Sequence, residues 1–195
     1  MEDLAGNSAI AAGATAVIAG IMLAGFFATR SQSLGHANDA AAAVMAILLM
    51  PAALAVLNRF ADTGPLIVVV TAIGLVGMAV AALASALTAV GRLSMAQLTT
   101  WQGGSFLVLF VWVLGTSITI LVWGRLPVGL GWLGIGAGLL VTIAMVEILR
   151  LARRMGRLGA LEGLDRPPLI AMITTLAAFA AFPIWCVWLG LDLAG

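Results

Sequence analysis

Residues 65–90 read PLIVVVTAIGLVGMAVAALASALTAV, an uninterrupted apolar stretch without a charged side chain. A lipid hydrocarbon core of about 30 Å requires roughly 17–25 apolar residues in a helix that crosses it. The stretch has that length, and it begins with proline, which is common in the first turn of a helix. It therefore predicts a membrane-spanning α-helix.

Five other stretches have the same character, and polar or turn-forming residues separate all six. The predicted helices are Ser8–Thr29, Ala40–Leu57, Pro65–Val90, Ser105–Trp123, Val128–Leu149 and Leu169–Leu191. In lipid a backbone must satisfy its own hydrogen bonds, which leaves helices or closed barrels. The stretches are about twice too long for barrel strands and lack period-two alternation. The sequence predicts an all-α fold, one polytopic transmembrane bundle of about six helices with short loops.

The composition supports the same fold class. Of 195 residues, 63% are hydrophobic and 9% are charged, whereas soluble domains carry roughly a quarter charged residues. Such a chain cannot cover itself with a polar surface, so a bilayer is its expected solvent. The N-terminal MEDLAGNS is acidic and lacks the basic region of a signal peptide. We therefore expect the first helix to be retained.

Arginine placement predicts the orientation. The connection between helices 5 and 6 holds five of the nine cationic residues, Arg150, Arg153, Arg154, Arg157 and Arg166. The positive-inside rule places this loop, residues 150–168, in the cytoplasm together with Arg30 and Arg92. Arg59, Arg125 and both chain termini then lie on the outer face. The expected location is the bacterial cell (inner) membrane.

Missing residue types exclude several chemistries. The chain has no lysine, so it cannot form a Schiff base with retinal. A single histidine, His36, cannot supply the paired ligands of a membrane haem, and with one cysteine it falls short of a usual zinc site. A net charge of +1 argues against a nucleic-acid partner. No cofactor or metal is predicted.

Tryptophan is the residue type that leaves a cofactor alternative open. Trp123, Trp132 and Trp188 fall near the predicted outer face and indicate an interfacial belt. With Trp112 and Trp185 they are expected at the ends of helices 4 to 6. The alternative is an aromatic pocket for a pigment, a quinone or a lipid tail.

Glu147 is the only carboxylate well inside a predicted helix. Intramembrane acids are costly, so one hypothesis is a proton or cation relay. The alternative is an ion pair with Arg150 or Arg154 at helical spacing near the end of helix 5. Arg150, Arg153, Arg154 and Arg157 are also candidate contacts for lipid headgroups or phosphate. Helix 5 is expected to continue past the membrane as a basic amphipathic segment.

His36 and Asp39 form the most polar group outside the arginine loop. They could shuttle protons or bind a headgroup. The alternative is structural, with Asn38 or Asp39 as the N-cap of helix 2.

Pro51 and Pro183 lie deep within helices 2 and 6. Each removes one helical hydrogen bond and frees a carbonyl four residues earlier. Such a carbonyl could coordinate a cation or hinge a gate. The alternative is a simple helix kink.

Small and hydroxyl side chains mark other helix faces. Small residues at every fourth position in helices 1, 3 and 5 predict close helix contacts. The hydroxyls of helices 4 and 6 could line a polar path, or each could bond a carbonyl one turn earlier. They are Thr116, Ser117, Thr119, Thr174 and Thr175. Residues 91–104 are compatible with a short helix lying in the headgroups.

Residues 124–134, GRLPVGLGWLG, are followed by a glycine-rich helix. This segment resembles a feature of uncharacterised bacterial six-helix membrane proteins, in which a Leu-Pro step and a Gly-Trp-Leu-Gly start introduce a late helix. The resemblance covers about a third of the chain. Those proteins have no assigned activity, so it implies a fold and carries over no functional residue.

Three functions are compatible with these patterns. The favoured one is a non-enzymatic accessory or scaffold subunit of a larger membrane assembly, with membrane lipids and other subunits or a second copy as partners. The second is a small oligomeric transporter or channel. The third is a membrane enzyme acting on a lipidic substrate at the cytoplasmic face. No catalytic residue is predicted, and the sequence leans against an enzyme.

Overall fold

The computed structural model describes residues 2–93, 95–154 and 169–195, without the side chains of 95–100, 102–103, 145–154 and 169–176. These residues form six α-helices and a short 3-10 turn at Ala61–Thr63. The helices are α1 (Glu2–Thr29), α2 (Gln32–Phe60), α3 (Pro65–Ala89), α4 (Met95–Trp123), α5 (Val128–Arg154) and α6 (Leu169–Ala194). The predicted all-α class and the number of helices are confirmed.

Five of the helical segments are long and apolar enough to cross a membrane. They are Glu2–Thr29, Gln32–Thr63, Pro65–Ala89, Gly104–Trp123 and Ala177–Ala194. Helix α5 adds the shorter apolar segment Val128–Ala144 within the part of the chain that was searched. Its helical hydrogen bonding continues to Arg154, so the expected extension of helix 5 is present.

Most of the helices are longer than their apolar stretches. Helix α2 begins at Gln32, eight residues before the predicted start, and α4 begins at Met95, ten residues early. The predicted surface helix in 91–104 is therefore the first part of α4 from Met95 onwards. Hydropathy marks the lipid-compatible part of a helix, whereas backbone hydrogen bonding continues into polar residues beyond it.

Three tight turns reverse the chain with left-handed residues. Gly91 (φ 70°) ends α3 in a Schellman motif, in which Arg92 N donates to Leu87 O at 2.8 Å. Gly124 (φ 62°) ends α4, and its N–H donates to Ile120 O at 2.9 Å. Arg30 ends α1 with φ 57°, an unusual value for a residue with a side chain. Short turns make consecutive helices antiparallel neighbours.

The helices form a closed ring. Each packs against the next one along the chain, and α6 packs against α1. Helices α1 and α6 approach each other closely where Gly6 and Gly190 have no side chain. A Cβ at Gly190 would stand 2.5 Å from Gly6 O. The predicted small-residue contacts at Gly77 of α3 and Gly134 of α5 are also made within the ring, against α4.

Large side chains fill the middle of the ring. Trp112, Trp185, Leu49, Met78 and Leu109 are fully buried in one continuous core. Many apolar side chains instead cover the outside, among them Ile21, Val76 and Trp132, each more than 60% exposed. An apolar exterior around a filled core is the pattern expected of a protein surrounded by lipid.

Candidate functional site

The predicted acid and arginine positions lie at the far end of α5. Glu147, Arg150, Arg153 and Arg154 are on its helical backbone, and their side chains are outside the described part. Arg157 lies outside the described residues altogether. A relay at Glu147, its ion pair with an arginine, and headgroup or phosphate contacts of the arginine cluster therefore stay predictions.

His36 and Asp39 lie within α2 rather than in a connection before it. The expected N-cap role of Asn38 or Asp39 is wrong, because the helix begins at Gln32 and its N-cap position is Ser31. The His36 side chain is exposed, whereas Asp39 is 6% exposed and accepts a hydrogen bond from Asn38 Nδ2 at 3.4 Å. The two side chains thus occupy different environments one turn apart.

Both predicted kink prolines lie inside continuous helices, Pro51 in α2 and Pro183 in α6. Pro183 also takes part in the contact between α1 and α6. Its carbonyl oxygen lies 2.8 Å from where a Cβ of Gly13 would stand. Glycine at position 13 therefore lets α1 approach α6 at this proline.

Most described threonine hydroxyls within the helices bond their own helix. Thr15, Thr88, Thr119 and Thr142 each donate to the carbonyl four residues earlier, at 2.7–2.9 Å. This is the predicted back-bonding, and it is confirmed for Thr119 of α4. The neighbouring hydroxyls of α4 differ, because no partner for them is found among the described residues.

Five buried polar side chains without a hydrogen-bond partner in the described part of the chain form a group that we call the polar layer. They are Thr71, Trp112, Thr116, Ser117 and Trp185, and each is 0% exposed. The expected back-bonding of Thr116 and Ser117 is therefore wrong. Trp112 and Trp185, expected at helix ends, lie in the core instead. Unpaired buried polar groups are uncommon in folded proteins and call for an explanation.

Helices α3 and α4 bring one side of the polar layer together. They run antiparallel, and Gly74 of α3 faces Trp112, whose Cγ lies 2.5 Å from an ideal Cβ at position 74. Gly115 of α4 faces Val70 in the same way, because Val70 Cγ1 lies 2.6 Å from an ideal Cβ at position 115. Thr71 and Thr116, which follow Val70 and Gly115 in the chain, therefore lie at one level.

Helices α4, α5 and α6 bring the other side together. The rings of Trp112 and Trp185 pack edge to face, with centroids 5.6 Å apart and planes at 85°. Gly134 of α5 has no side chain, and both Ser117 Oγ and Trp185 Nε1 occupy the space that its Cβ would take. The Trp185 nitrogen lies 2.6 Å from that point. The hydroxyl and the indole N–H are thus brought close across Gly134.

A cluster of charged side chains lies at the end of the ring where α1 begins, at Glu2, and α6 ends, at Ala194. Arg59 Nη1 donates to the carbonyl of Asp192 at 3.1 Å, and its Nη2 lies 3.8 Å from Glu2 Oε2. Arg59 therefore joins α2 to both α1 and α6. The arginine pattern predicted that these residues lie on one face, but no feature of the sequence predicted their contacts.

Arg125 forms a second link at this end. It makes a two-pronged ion pair with Asp62, at 2.6 and 2.7 Å, and also donates to the carbonyl of Arg59 at 2.7 Å. Its guanidinium lies 6.0 Å from the centre of the Phe60 ring. The hydrogen bond to Asp62 raises the pKa of Arg125 above its ordinary value. The turn between α4 and α5 is thereby fixed to the α2–α3 corner.

Two open grooves mark the outer surface. One runs between α1 and α6 beside Gly13, Val17, Pro183 and Trp188, and the other between α3 and α4 beside Gly77 and Trp101. Both are lined almost entirely by apolar atoms. Trp123, Trp132 and Trp188 are exposed, as an interfacial belt requires.

The fold and the apolar exterior define an integral, multi-pass helical membrane protein. Comparison of the chain with protein-family models, with curated proteins and with solved structures finds no match. The resemblance of residues 124–134 to uncharacterised bacterial membrane proteins therefore stays a prediction.

Proposed function

We propose that the chain is a non-enzymatic accessory or scaffold subunit of a larger membrane assembly. The observation that carries the proposal is the filled middle of the ring, where Trp112, Trp185 and Met78 are fully buried. The described interior side chains pack against one another, and large apolar faces point outward. A subunit that acts through its outer surface needs this arrangement, whereas a monomeric carrier needs a cavity within it.

The transporter alternative requires several groups to meet on one path. Glu147 follows Gly134 by thirteen residues on α5, which is about 20 Å along the helix axis at 1.5 Å per residue. The acid and the hydroxyls of the polar layer thus belong to different levels of the bundle. Their separation supports the scaffold proposal over transport by a single copy.

The enzyme alternative requires His36 and Asp39 to act together with the arginines of α5. Helix α2 packs against α1 and α3, whereas α5 packs against α4 and α6. The two groups therefore lie on helices that are not neighbours in the ring. In addition, His36 is exposed while Asp39 is buried, so the pair does not present one shared surface.

We further propose the orientation that the arginines predict. The termini, Arg59 and Arg125 would face outward, and residues 150–168 would face the cytoplasm of a bacterium. Membrane lipids would contact the grooves and exposed faces. The grouping of Glu2, Arg59 and Asp192 at one end supports an even number of crossings between the termini.

Purification from the native membrane tests the proposed role. We expect the tagged chain, extracted in mild detergent and chemically cross-linked, to migrate in a discrete complex with one partner in fixed stoichiometry. A chain that is recovered alone from cross-linked membranes would contradict the proposal. An isolated chain that conducts ions after reconstitution would instead favour the channel alternative.

Matched surface variants show whether the association is specific. Ala14 of α1 and Ala72 of α3 are both exposed and lie on different helices. Ala14→Trp and Ala72→Trp add the same bulk to different faces of the ring. A scaffold that uses one face should lose its partner in at most one of these variants, while both keep the fold. Equal loss in both variants would contradict an association through one face of the ring.

A further inference from the structure

We propose that the polar layer is an internal water-binding site, in which ordered water accepts hydrogen bonds from the indoles of Trp112 and Trp185 and bridges them to neighbouring hydroxyls. The inference does not depend on the proposed function, because it concerns the interior of the chain rather than its partners.

The two indoles carry the argument. An indole N–H is a donor only, so it is satisfied solely by an acceptor that reaches its edge. Trp112 Nε1 and Trp185 Nε1 are fully buried and have no such acceptor within the described residues. A buried donor left unpaired costs about 1–3 kcal/mol. Two such donors lie in one layer with their rings in contact, so the cost of leaving both unpaired would be about twice that of one.

The hydroxyls of the layer supply the remaining partners. Thr71, Thr116 and Ser117 differ from Thr119, whose hydroxyl is already bonded to Gly115 O at 2.8 Å. Each free hydroxyl can donate one hydrogen bond and accept others. A buried water typically makes about three hydrogen bonds to otherwise unsatisfied groups. A water in this layer could accept hydrogen bonds from the indoles, which only donate, and could donate to the hydroxyls, which also accept.

The charge of the surroundings selects an uncharged ligand. The five side chains of the layer are neutral, and the arginines at the end of the ring are engaged elsewhere, Arg59 with Glu2 and Arg125 with Asp62. A buried ion without a paired charge is strongly disfavoured. The indole N–H groups would also point their positive ends at a cation. A small, neutral, oxygen-bearing molecule satisfies the layer without a charge, and water is the smallest.

Nuclear magnetic resonance of the indole groups tests the proposal in the full chain. The protein, labelled with ¹⁵N at its six tryptophans, would be placed in lipid nanodiscs, and Trp112→Phe and Trp185→Phe would assign the two signals. We expect magnetisation transfer from water to both indole protons despite their burial. Trp123 ends α4 beside the Gly124 turn and is 52% exposed, so it serves as the positive control for contact with water.

Two small substitutions keep the test decisive if the tryptophan variants fold poorly. Ser117→Ala removes one hydroxyl of the layer and should shift the indole signal that lies beside Gly134. Thr119→Val on the same helix removes a hydroxyl that is already bonded, and it should shift neither signal. Absence of transfer from water to either buried indole would overturn the proposal. A Ser117-dependent shift without transfer would also overturn it, because it indicates a direct Trp185–Ser117 bond.

Discussion

Gly134 and Gly136 lie two residues apart on α5 and face different surroundings. A Cβ at Gly134 would stand 2.6 Å from Trp185 Nε1, whereas a Cβ at Gly136 would meet no atom within 4 Å. The first glycine is required by the packing of the core, and the second is not. Two substitutions that are identical in chemistry should therefore differ in outcome.

Gly134→Ala should lower the free energy of unfolding by about 1–3 kcal/mol, because the added methyl group must displace the indole or the Ser117 hydroxyl. Gly136→Ala is the matched control and should leave stability unchanged or raise it slightly through helix propensity. Unfolding by sodium dodecyl sulfate in mixed micelles measures both. Equal stabilities for the two variants would show that the contact at Gly134 is absent.

Arg30 offers a prediction of the opposite sign. Its φ of 57° is a left-handed backbone conformation, which is energetically unfavourable for a residue with a side chain. Arg30→Gly should raise the free energy of unfolding by about 0.5–1 kcal/mol, since relief of the backbone cost outweighs the added flexibility of the unfolded chain. Arg92 does not have a positive φ, so Arg92→Gly is the control and should not stabilise. Stabilisation by both glycines would argue against this explanation.

At the scale of helices and turns, two arginines hold one end of the ring together. Arg59 joins α2 to the start of α1 and the end of α6, and Arg125 fixes the α4–α5 turn to Asp62. The side chains of Arg125 and Asp62 are 38% and 71% exposed. Solvent screens such a pair, so its two-pronged geometry gives specificity more than stability.

A double-mutant cycle measures this link. Arg125→Gln and Asp62→Asn should show a coupling energy of about 0.2–1 kcal/mol, as exposed ion pairs do. The coupling should shrink in about 0.5 M salt, because salt screens charges at the surface. The control cycle pairs Asp62→Asn with Arg92→Gln, which lies at the other end of the bundle, and it should show no coupling. A coupling that salt leaves unchanged would contradict the solvent-exposed geometry.

Helix ends show how far sequence reasoning reaches at this scale. The starts at Pro65, Val128 and Leu169 were predictable, because a proline either opens the helix or directly precedes it. The start of α2 at Gln32 was not, since its first turns are polar and hydropathy reports only on lipid-compatible residues. The misplaced helix start also produced the wrong N-cap at Asp39.

For the candidate site, the sequence showed which residue types are present but not which side chains contact one another. The hydroxyls of Thr116 and Ser117 were recognisable on α4, and nothing local distinguishes them from back-bonded Thr119. Trp112 and Trp185 become neighbours only because large side chains of α4 and α6 meet in the middle of the ring. Periodicity within one helix cannot specify which helix lies opposite, so the polar layer required the three-dimensional arrangement.

On the scale of the whole molecule, six helices alternate in direction and form a closed ring with a filled core. Both chain ends and the Ala61–Thr63 turn then lie at one end of the bundle, while the α1–α2 and α3–α4 turns lie at the other. Cys186 is fully buried in this core. An introduced surface cysteine should therefore react with little background from the native thiol.

Cysteine labelling of sealed cells with a membrane-impermeant reagent tests this arrangement most directly. Asp3→Cys, Ala61→Cys and Gly195→Cys place the thiol at exposed positions on the end with the termini, and Ser33→Cys and Arg92→Cys place it on the other end. We predict that the first three react in intact cells and that the last two react only after permeabilisation. If the last two variants reacted in intact cells and the first three did not, the orientation would be the reverse of the proposed one, while the six-helix bundle would stand. Labelling of Asp3→Cys and Ala61→Cys from opposite sides would contradict the six-helix arrangement itself.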